Sequence, residues 1–137
     1  MAVQANRVTL PGLLAAGDLS SSQFTFVKLS STAGKVKVVA ATTDLAVGVL
    51  QNDPTDGEEA DVAVGGLVKV AAGTSVGWGE GIAVGWNTTG KAVPLAANST
   101  NDNRPYMGRF HSAWGQTTTV TLNQILSIQL FPGAMRL

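Results

Sequence analysis

The chain has 137 residues, of which 45% are hydrophobic and 13% are charged, and its formal net charge is zero. This length fits one domain with a core of its own. The lack of cysteine excludes disulfides and thiolate chemistry. The single histidine, His111, excludes a metal site with two histidines from one chain. Balanced charge without a basic tract predicts no nucleic-acid partner, and no apolar segment approaches the roughly 20 residues of a membrane-spanning helix, so we expect no membrane association.

Residues 1–22 differ from the rest of the chain and predict an N-terminal arm. Residues 8–19 are mostly apolar, but Pro11 and Gly17 interrupt a long helix, so the segment holds at most one short helical turn and is otherwise extended. An arm of this kind docks on a neighbouring subunit or packs on its own domain, and the sequence leaves both possibilities open. We assign the remainder, residues 23–137, to a single β-domain.

From residue 23 onward, apolar and polar side chains alternate with a period of two, which is typical of β-strands. Turn-forming residues predict hairpin turns at Ala33-Gly34 and Gly65-Gly66 and a further turn at residues 87–90. The last apolar segment has both helical and strand spacing, and we predict a strand because its neighbours are β. The predicted strands are residues 24–29, 36–40, 45–50, 60–64, 67–72, a kinked strand within 76–86, 91–95, 106–110, 117–122 and 125–131. Short strands separated by glycine-rich turns predict an all-β fold, either a compact β-sandwich or a small β-barrel of short antiparallel strands, with an extended N-terminal arm.

The sequence contains no constellation typical of an enzyme. Residues 85–91 match the P-loop pattern GxxxxGK, but Ala92 stands where Ser or Thr would hold Mg²⁺, and Pro94 prevents the helix that must follow. His111 lies in no recognisable nucleophile elbow. We therefore predict that the chain is not an enzyme, has no catalytic residue and uses no cofactor.

The acidic residues are concentrated in one segment, where carboxylate oxygens would suit a hard cation such as Ca²⁺. Their spacing does not match an EF-hand loop, so we predict no metal site. A solvated turn is the simpler interpretation, and contact with a basic partner surface is the alternative. The residues concerned are Asp53, Asp56, Glu58, Glu59 and Asp61.

Three tryptophans, Trp78, Trp86 and Trp114, each stand next to a glycine. Aromatic side chains in this setting fill a core, form a subunit interface or stack against a sugar ring. All three interpretations stay open at this point, and we take these residues as candidates for a subunit interface.

A series of short segments, spread over about residues 15–132, has the order and spacing of a known family. The segments are Ala16-Gly17-Asp18-Leu19-Ser20, Phe24-Thr25-Phe26-Val27-Lys28-Leu29, Ala33-Gly34-Lys35-Val36, Ala46-Val47-Gly48-Val49-Leu50-Gln51-Asn52-Asp53-Pro54, Gly57-Glu58, Ala60-Asp61-Val62-Ala63-Val64, Gly66-Leu67-Val68-Lys69-Val70, residues 77–85, Gly90-Lys91-Ala92, Met107-Gly108-Arg109 and Ile128-Gln129-Leu130. Together they resemble the small capsid cement, or head decoration, proteins of tailed bacteriophages.

The resemblance implies a structural virion protein that binds the outer surface of the phage head. Such a protein stabilises the head by clamping neighbouring major capsid subunits, as a homotrimer at threefold positions. Neutral charge agrees with a capsid rather than DNA as the partner, and the lack of cysteine agrees with a reducing compartment. Residues 1–7 lack the features of a signal peptide, so we expect synthesis in the host bacterial cytoplasm.

Within this interpretation, we assign the capsid contact to the arm residues Val8, Leu10, Leu13 and Leu14, which would add a strand or an apolar anchor to the capsid. Truncation of residues 1–16 is then expected to weaken capsid binding without unfolding the domain. The alternative function is a glycan- or ligand-binding β-module, at a head fibre base or associated with the tail, that uses exposed tryptophans.

Overall fold

A computed structural model of the chain describes residues 5–96, 104–111 and 119–136. Within these residues there is no helix, and ten strands form one sheet in which every strand pair except β2–β4 is antiparallel. The strands are β1 (Ala5–Leu10), β2 (Leu14–Ala15), β3 (Phe26–Leu29), β4 (Lys35–Val38), β5 (Gly48–Leu50), β6 (Val62–Ala71), β7 (Ala83–Trp86), β8 (Ala92–Leu95), β9 (Pro105–Phe110) and β10 (Ile125–Arg136). The all-β prediction is confirmed.

The sheet is open, with the strand order β2-β4-β3-β5-β6-β10-β9-β7-β8, and β1 pairs with β6 outside this path. The long strands β6 and β10 form its centre, in a register from Ile125 opposite Ala71 to Leu130 opposite Gly66. The two ends of the sheet curl toward each other and meet at a hydrogen bond. The amide of Phe26 in β3 donates to the carbonyl of Gly90, beside β8, at 2.7 Å. The β7–β8 hairpin therefore lies over β3.

Both faces of the sheet around β3 are buried. Phe26 and Val27 are adjacent in β3 and therefore point to opposite faces, and both are fully buried. Phe26 contacts Trp86 across the larger core, with ring centroids 5.0 Å apart. Val27 belongs to a second cluster, whose buried members are Leu13, Ala15, Leu19, Val27, Val36, Leu50, Ala60 and Val62. The N-terminal segment that contains Leu13 and Leu19 thus covers one face of the sheet.

The predicted hairpin turn at Gly65-Gly66 is wrong, because β6 runs without interruption from Val62 to Ala71. Three strands hydrogen-bond to β6, and this pairing keeps the chain extended where the local sequence favours a turn. The turns predicted at Ala33-Gly34 and at residues 87–90 are confirmed, since they connect β3 to β4 and β7 to β8.

Three further segments differ in detail from their predictions. The possible helical turn near residue 14 is instead the short strand β2. The kinked strand within residues 76–86 is reduced to β7, which begins at Ala83. Residues 119–122 of the predicted strand 117–122 are not extended but lead into a turn, in which the side chain of Gln124 accepts a hydrogen bond from the Thr121 amide. The strand predicted for the last segment is confirmed and continues to Arg136.

Candidate functional site

The first strand, β1, lies on the surface of the protein with both faces exposed. All six of its residues are exposed, including Val8 at 56% and Leu10 at 39%. None of its side chains belongs to the core clusters formed by the described residues. Among the described strands, β1 pairs with β6 alone, so it is an edge strand whose second edge faces away from the sheet. An exposed edge of this kind is a template for strand addition by another chain.

Close backbone contact and one ion pair hold β1 against β6. The register places Val8 opposite Gly65 and Leu10 opposite Val62. Gly66 has a positive φ of 87°, and a Cβ atom added there would lie 2.6 Å from the carbonyl carbon of Asn6, so only glycine lets β1 approach this closely. Beside this contact, Arg7 donates to the carboxylate of Asp61 at 3.0 Å.

The arm leaves the surface immediately after β1. Leu13 is only 8% exposed and Ala15 is fully buried, whereas Leu14 between them is 38% exposed. This alternation follows from the period of two in extended backbone, which turns Leu13 and Ala15 toward the second core cluster. Of the four predicted capsid-contact residues, the structure therefore places Val8, Leu10 and Leu14 at the surface, and the assignment of Leu13 is corrected to the core.

An open groove of about 380 Å³ runs beside the start of β1. It is lined by Ala5, Asn6, Gly66, Leu67, His111 and Gln129. The Nδ1 atom of His111 lies 3.9 Å from a carboxylate oxygen of Glu80. The lining brings no nucleophile beside a base, which is the arrangement that covalent catalysis requires.

Two of the carboxylates between residues 53 and 61, those of Asp56 and Glu58, accept hydrogen bonds from nearby backbone and side-chain donors. Asp56 accepts a hydrogen bond from the Gly17 amide at 2.9 Å and so ties the loop to the arm. Glu58 accepts from the hydroxyl and the amide of Thr55, and these bonds lower the pKa of Glu58 below its usual value. No group of three or more metal-ligating side chains occurs in the part of the chain that the structure describes.

A second electrostatic contact fixes the loop after β4. Asp44 accepts hydrogen bonds from the Lys28 ammonium at 2.7 Å and from the amides of Ala40 and Ala41. These donors favour the charged carboxylate and lower the pKa of Asp44 to about 2. The next residue, Leu45, is 57% exposed at the surface.

Several apolar side chains outside the arm are exposed although no sequence pattern marks them. Each lies in or beside a segment whose alternation resembles that of a buried strand, so periodicity alone gave no signal that it faces solvent. Single apolar side chains scattered over a surface are normal, and only a contiguous patch of them marks a partner contact. The exposed residues are Leu29, Leu45, Val76, Leu122 and Met135.

Two of the three tryptophans belong to the core of the protomer. Trp86 is fully buried against Phe26, and Trp78 is 6% exposed, donates from Nε1 to the Thr74 carbonyl at 2.8 Å and packs edge-on against Phe110. Enclosed rings present no surface to a partner or to a sugar, so the interface assignment of these two is corrected to core packing. Trp114 lies outside the described residues.

Comparison with known proteins identifies a family for this chain. A search of curated proteins finds no match. No helix in the described part of the chain is long and apolar enough to cross a membrane. A family model described as phage cement protein matches residues 14–125, from the first residue of β2 to the first residue of β10. Because this match spans most of the sequence, the chain belongs to the phage cement protein family.

Proposed function

We propose that this protein decorates the outer surface of a phage head as a homotrimer and stabilises the head by clamping neighbouring major capsid subunits. Membership of the phage cement protein family supports a structural role on the capsid. The formal net charge of zero also supports a protein surface as the partner, because it gives no long-range attraction to packaged DNA.

The exposed strand β1 is the observation that carries the proposed contact. Its outer edge offers backbone donors and acceptors, and each hydrogen bond formed there contributes about 0.5–1.5 kcal/mol. Val8 and Leu10 add apolar surface along the same strand, and Leu14 adds more where the arm enters the domain. A capsid segment that adds to β1 would thus gain both backbone pairing and apolar burial.

A homotrimer would turn this small contact into firm attachment. A six-residue strand with a few apolar side chains binds weakly by itself. Once one β1 is bound, the other two copies face their capsid sites at an effective concentration of roughly millimolar, so the combined affinity exceeds that of one contact by orders of magnitude. Attachment at three points on different capsid subunits also opposes their separation, which is the mechanical meaning of cementing.

The proposal is tested by co-sedimentation of the purified protein with mature, DNA-emptied heads of the parent phage. We expect saturable binding near one copy per major capsid subunit and, in solution, the mass of three 14.0 kDa chains by light scattering. No binding at micromolar concentration would overturn the capsid role. A protein that binds the heads but has the mass of one chain would overturn the trimer alone.

The contact surface is tested with variants in the same assay. Deletion of residues 1–10 removes β1 and preserves Leu13 and the buried segment that follows, unlike the truncation of residues 1–16 considered from the sequence. We expect this deletion and the double substitution Val8→Ser/Leu10→Ser to weaken binding at least tenfold. Val76→Ser is the matched control, because it removes an even more exposed valine, 71% accessible, outside the arm. Equal loss of binding in the control and the arm variants would contradict an arm-specific contact.

A further inference from the structure

β1 is attached to the domain in a way that makes it separable from the fold. Its six residues are all exposed and contribute no side chain to the described core clusters, whereas Leu13 and Ala15 a few residues later are buried. Departure of β1 from β6 therefore exposes little apolar surface and leaves the core intact. Segments with few buried contacts open at low free-energy cost.

The site on β6 is specific for a strand of this sequence. Because Gly66 has no side chain, the backbone of Asn6 can pack against it, and Gly65 lies opposite Val8. Arg7 is the only charged side chain of β1, and its partner Asp61 lies next to the first residue of β6. Every one of these contacts joins β1 to the segment around β6, so a second copy of the chain supplies the same glycines and the same opposite charge.

The connection between β1 and the buried part of the arm is a natural hinge. Pro11 and Gly12 form a turn between β1 and β2, and Gly12 has a positive φ of 83° with open space where a side chain would begin. Rotation at these two residues redirects β1 while Leu13 stays in its cluster. Exchange of a terminal element about such a hinge remakes the same contacts between copies and is a low-cost route to an oligomer.

We propose that β1 is exchanged between copies, so that each β1 in the trimer pairs with β6 of a neighbouring copy. This inference rests on the trimer of the proposed function and names how its subunits are joined. The exchange forms a closed ring in which every copy donates one strand and accepts one. The family match begins at Leu14, so the exchanged strand β1 lies outside the matched residues. The outer edge of an exchanged β1 stays free for the capsid.

An engineered disulfide distinguishes exchange from pairing within one chain. The natural sequence has no cysteine, so any disulfide reports the introduced pair alone. A Cβ atom at Gly65 would lie 3.6 Å from the Cβ atom of Val8, within the range of about 3.5–4.5 Å that a disulfide requires. The variant Val8→Cys/Gly65→Cys is purified at its trimer peak, oxidised with copper phenanthroline and analysed on a non-reducing denaturing gel.

Exchange predicts covalent dimers and trimers that collapse to monomers on reduction. The single variants Val8→Cys and Gly65→Cys are the controls, because one cysteine can join at most two chains, so a covalent trimer requires both. Oxidised monomers with an internal disulfide, obtained from protein of trimeric mass, would overturn the exchange and leave the proposed function standing. The same product from protein of monomeric mass would overturn the exchange and the trimer, whereas the capsid role is decided by the co-sedimentation assay. Ala5→Cys/Leu67→Cys, at the other end of the register, is a second pair scored in the same way.

Discussion

Replacement of Gly66 by alanine should release β1 without unfolding the domain. The added methyl group would lie 2.6 Å from the carbonyl carbon of Asn6 and 3.0 Å from the Cα atom of Arg7. Both are backbone atoms, so no side-chain rotation relieves the clash. The φ of 87° adds strain, because L-residues rarely adopt this conformation. Together these effects weaken the docking of β1 by about 1–3 kcal/mol.

Limited trypsin digestion measures this release directly, because Arg7 lies within β1. Cleavage requires local opening, and a docking loss of about 1–3 kcal/mol raises the open population and the cleavage rate roughly 5- to 150-fold. Loss of β1 by itself should change the thermal midpoint little, since β1 contributes no side chain to the described core clusters. The strain at residue 66 of β6 should lower the midpoint of Gly66→Ala by a few degrees.

The neighbouring glycine provides a matched control. A Cβ atom at Gly65 meets Val8 at 3.6 Å, which is ordinary van der Waals contact, and Gly65 is not among the residues with positive φ. Gly65→Ala should therefore cleave at the natural rate. Equal rates of trypsin cleavage at Arg7 in Gly66→Ala and in the natural protein would refute the argument that β1 docks closely only when residue 66 is glycine.

Three other predictions concern the core and the loops. Leu13→Ala should lower the free energy of unfolding by about 2–4 kcal/mol, because Leu13 is buried. Leu14→Ala should lower it by less than about 1 kcal/mol, because Leu14 is partly exposed. Urea titration compares the two variants, and equal effects would contradict the opposite orientation of these side chains. Trp86→Ala should lower the free energy of unfolding by about 3–5 kcal/mol, because Trp86 is fully buried. In the natural protein, acrylamide should quench the fluorescence of the buried Trp86 indole poorly. The pKa of Asp44 is lowered from 3.8 to about 2, so its carboxylate stabilises the fold above about pH 4 and this contribution is lost as the pH falls through 2. Asp44→Asn should therefore lower the free energy of unfolding by about 1 kcal/mol at pH 7, a value that allows for solvent screening of a partly exposed pair. At pH 2 the substitution should change the free energy of unfolding by almost nothing. A loss of stability that does not depend on pH would contradict the ion-pair explanation.

The burial of Leu13 also changes what an arm truncation reports. Removal of residues 1–16 takes away Leu13 and Ala15, which belong to the second core cluster, so lost capsid binding would be mixed with lost stability. Removal of residues 1–10 takes away β1 and leaves these side chains in place. Only the shorter deletion leaves the contribution of the arm to the core of the protomer in place while β1 is removed.

Local sequence was sufficient for the features that depend on neighbouring residues. Alternation with a period of two predicted strands, and the all-β fold followed from their short length and the turns between them. The turns at Ala33-Gly34 and at residues 87–90 were predictable because each joins strands that are adjacent in the sheet, so turn chemistry and strand pairing agree. Family resemblance was readable for the same reason, since it lies in the order of these local segments.

Only the tertiary structure decided which side chains are reachable and which strands meet. Gly65-Gly66 has the local chemistry of a turn, yet pairing of β6 with β1, β5 and β10 keeps these residues within one strand. Gly66, with its positive φ, is the point at which the arm contacts this strand. Trp86 and Leu45 are both apolar residues near turns, and one is enclosed while the other faces solvent. Burial depends on residues distant in the chain that pack on the same side chain, and periodicity records only the alternation of faces. The sequence by itself therefore determined the all-β class and the family. Long-range pairing determined the exposed strand on which binding is proposed to depend.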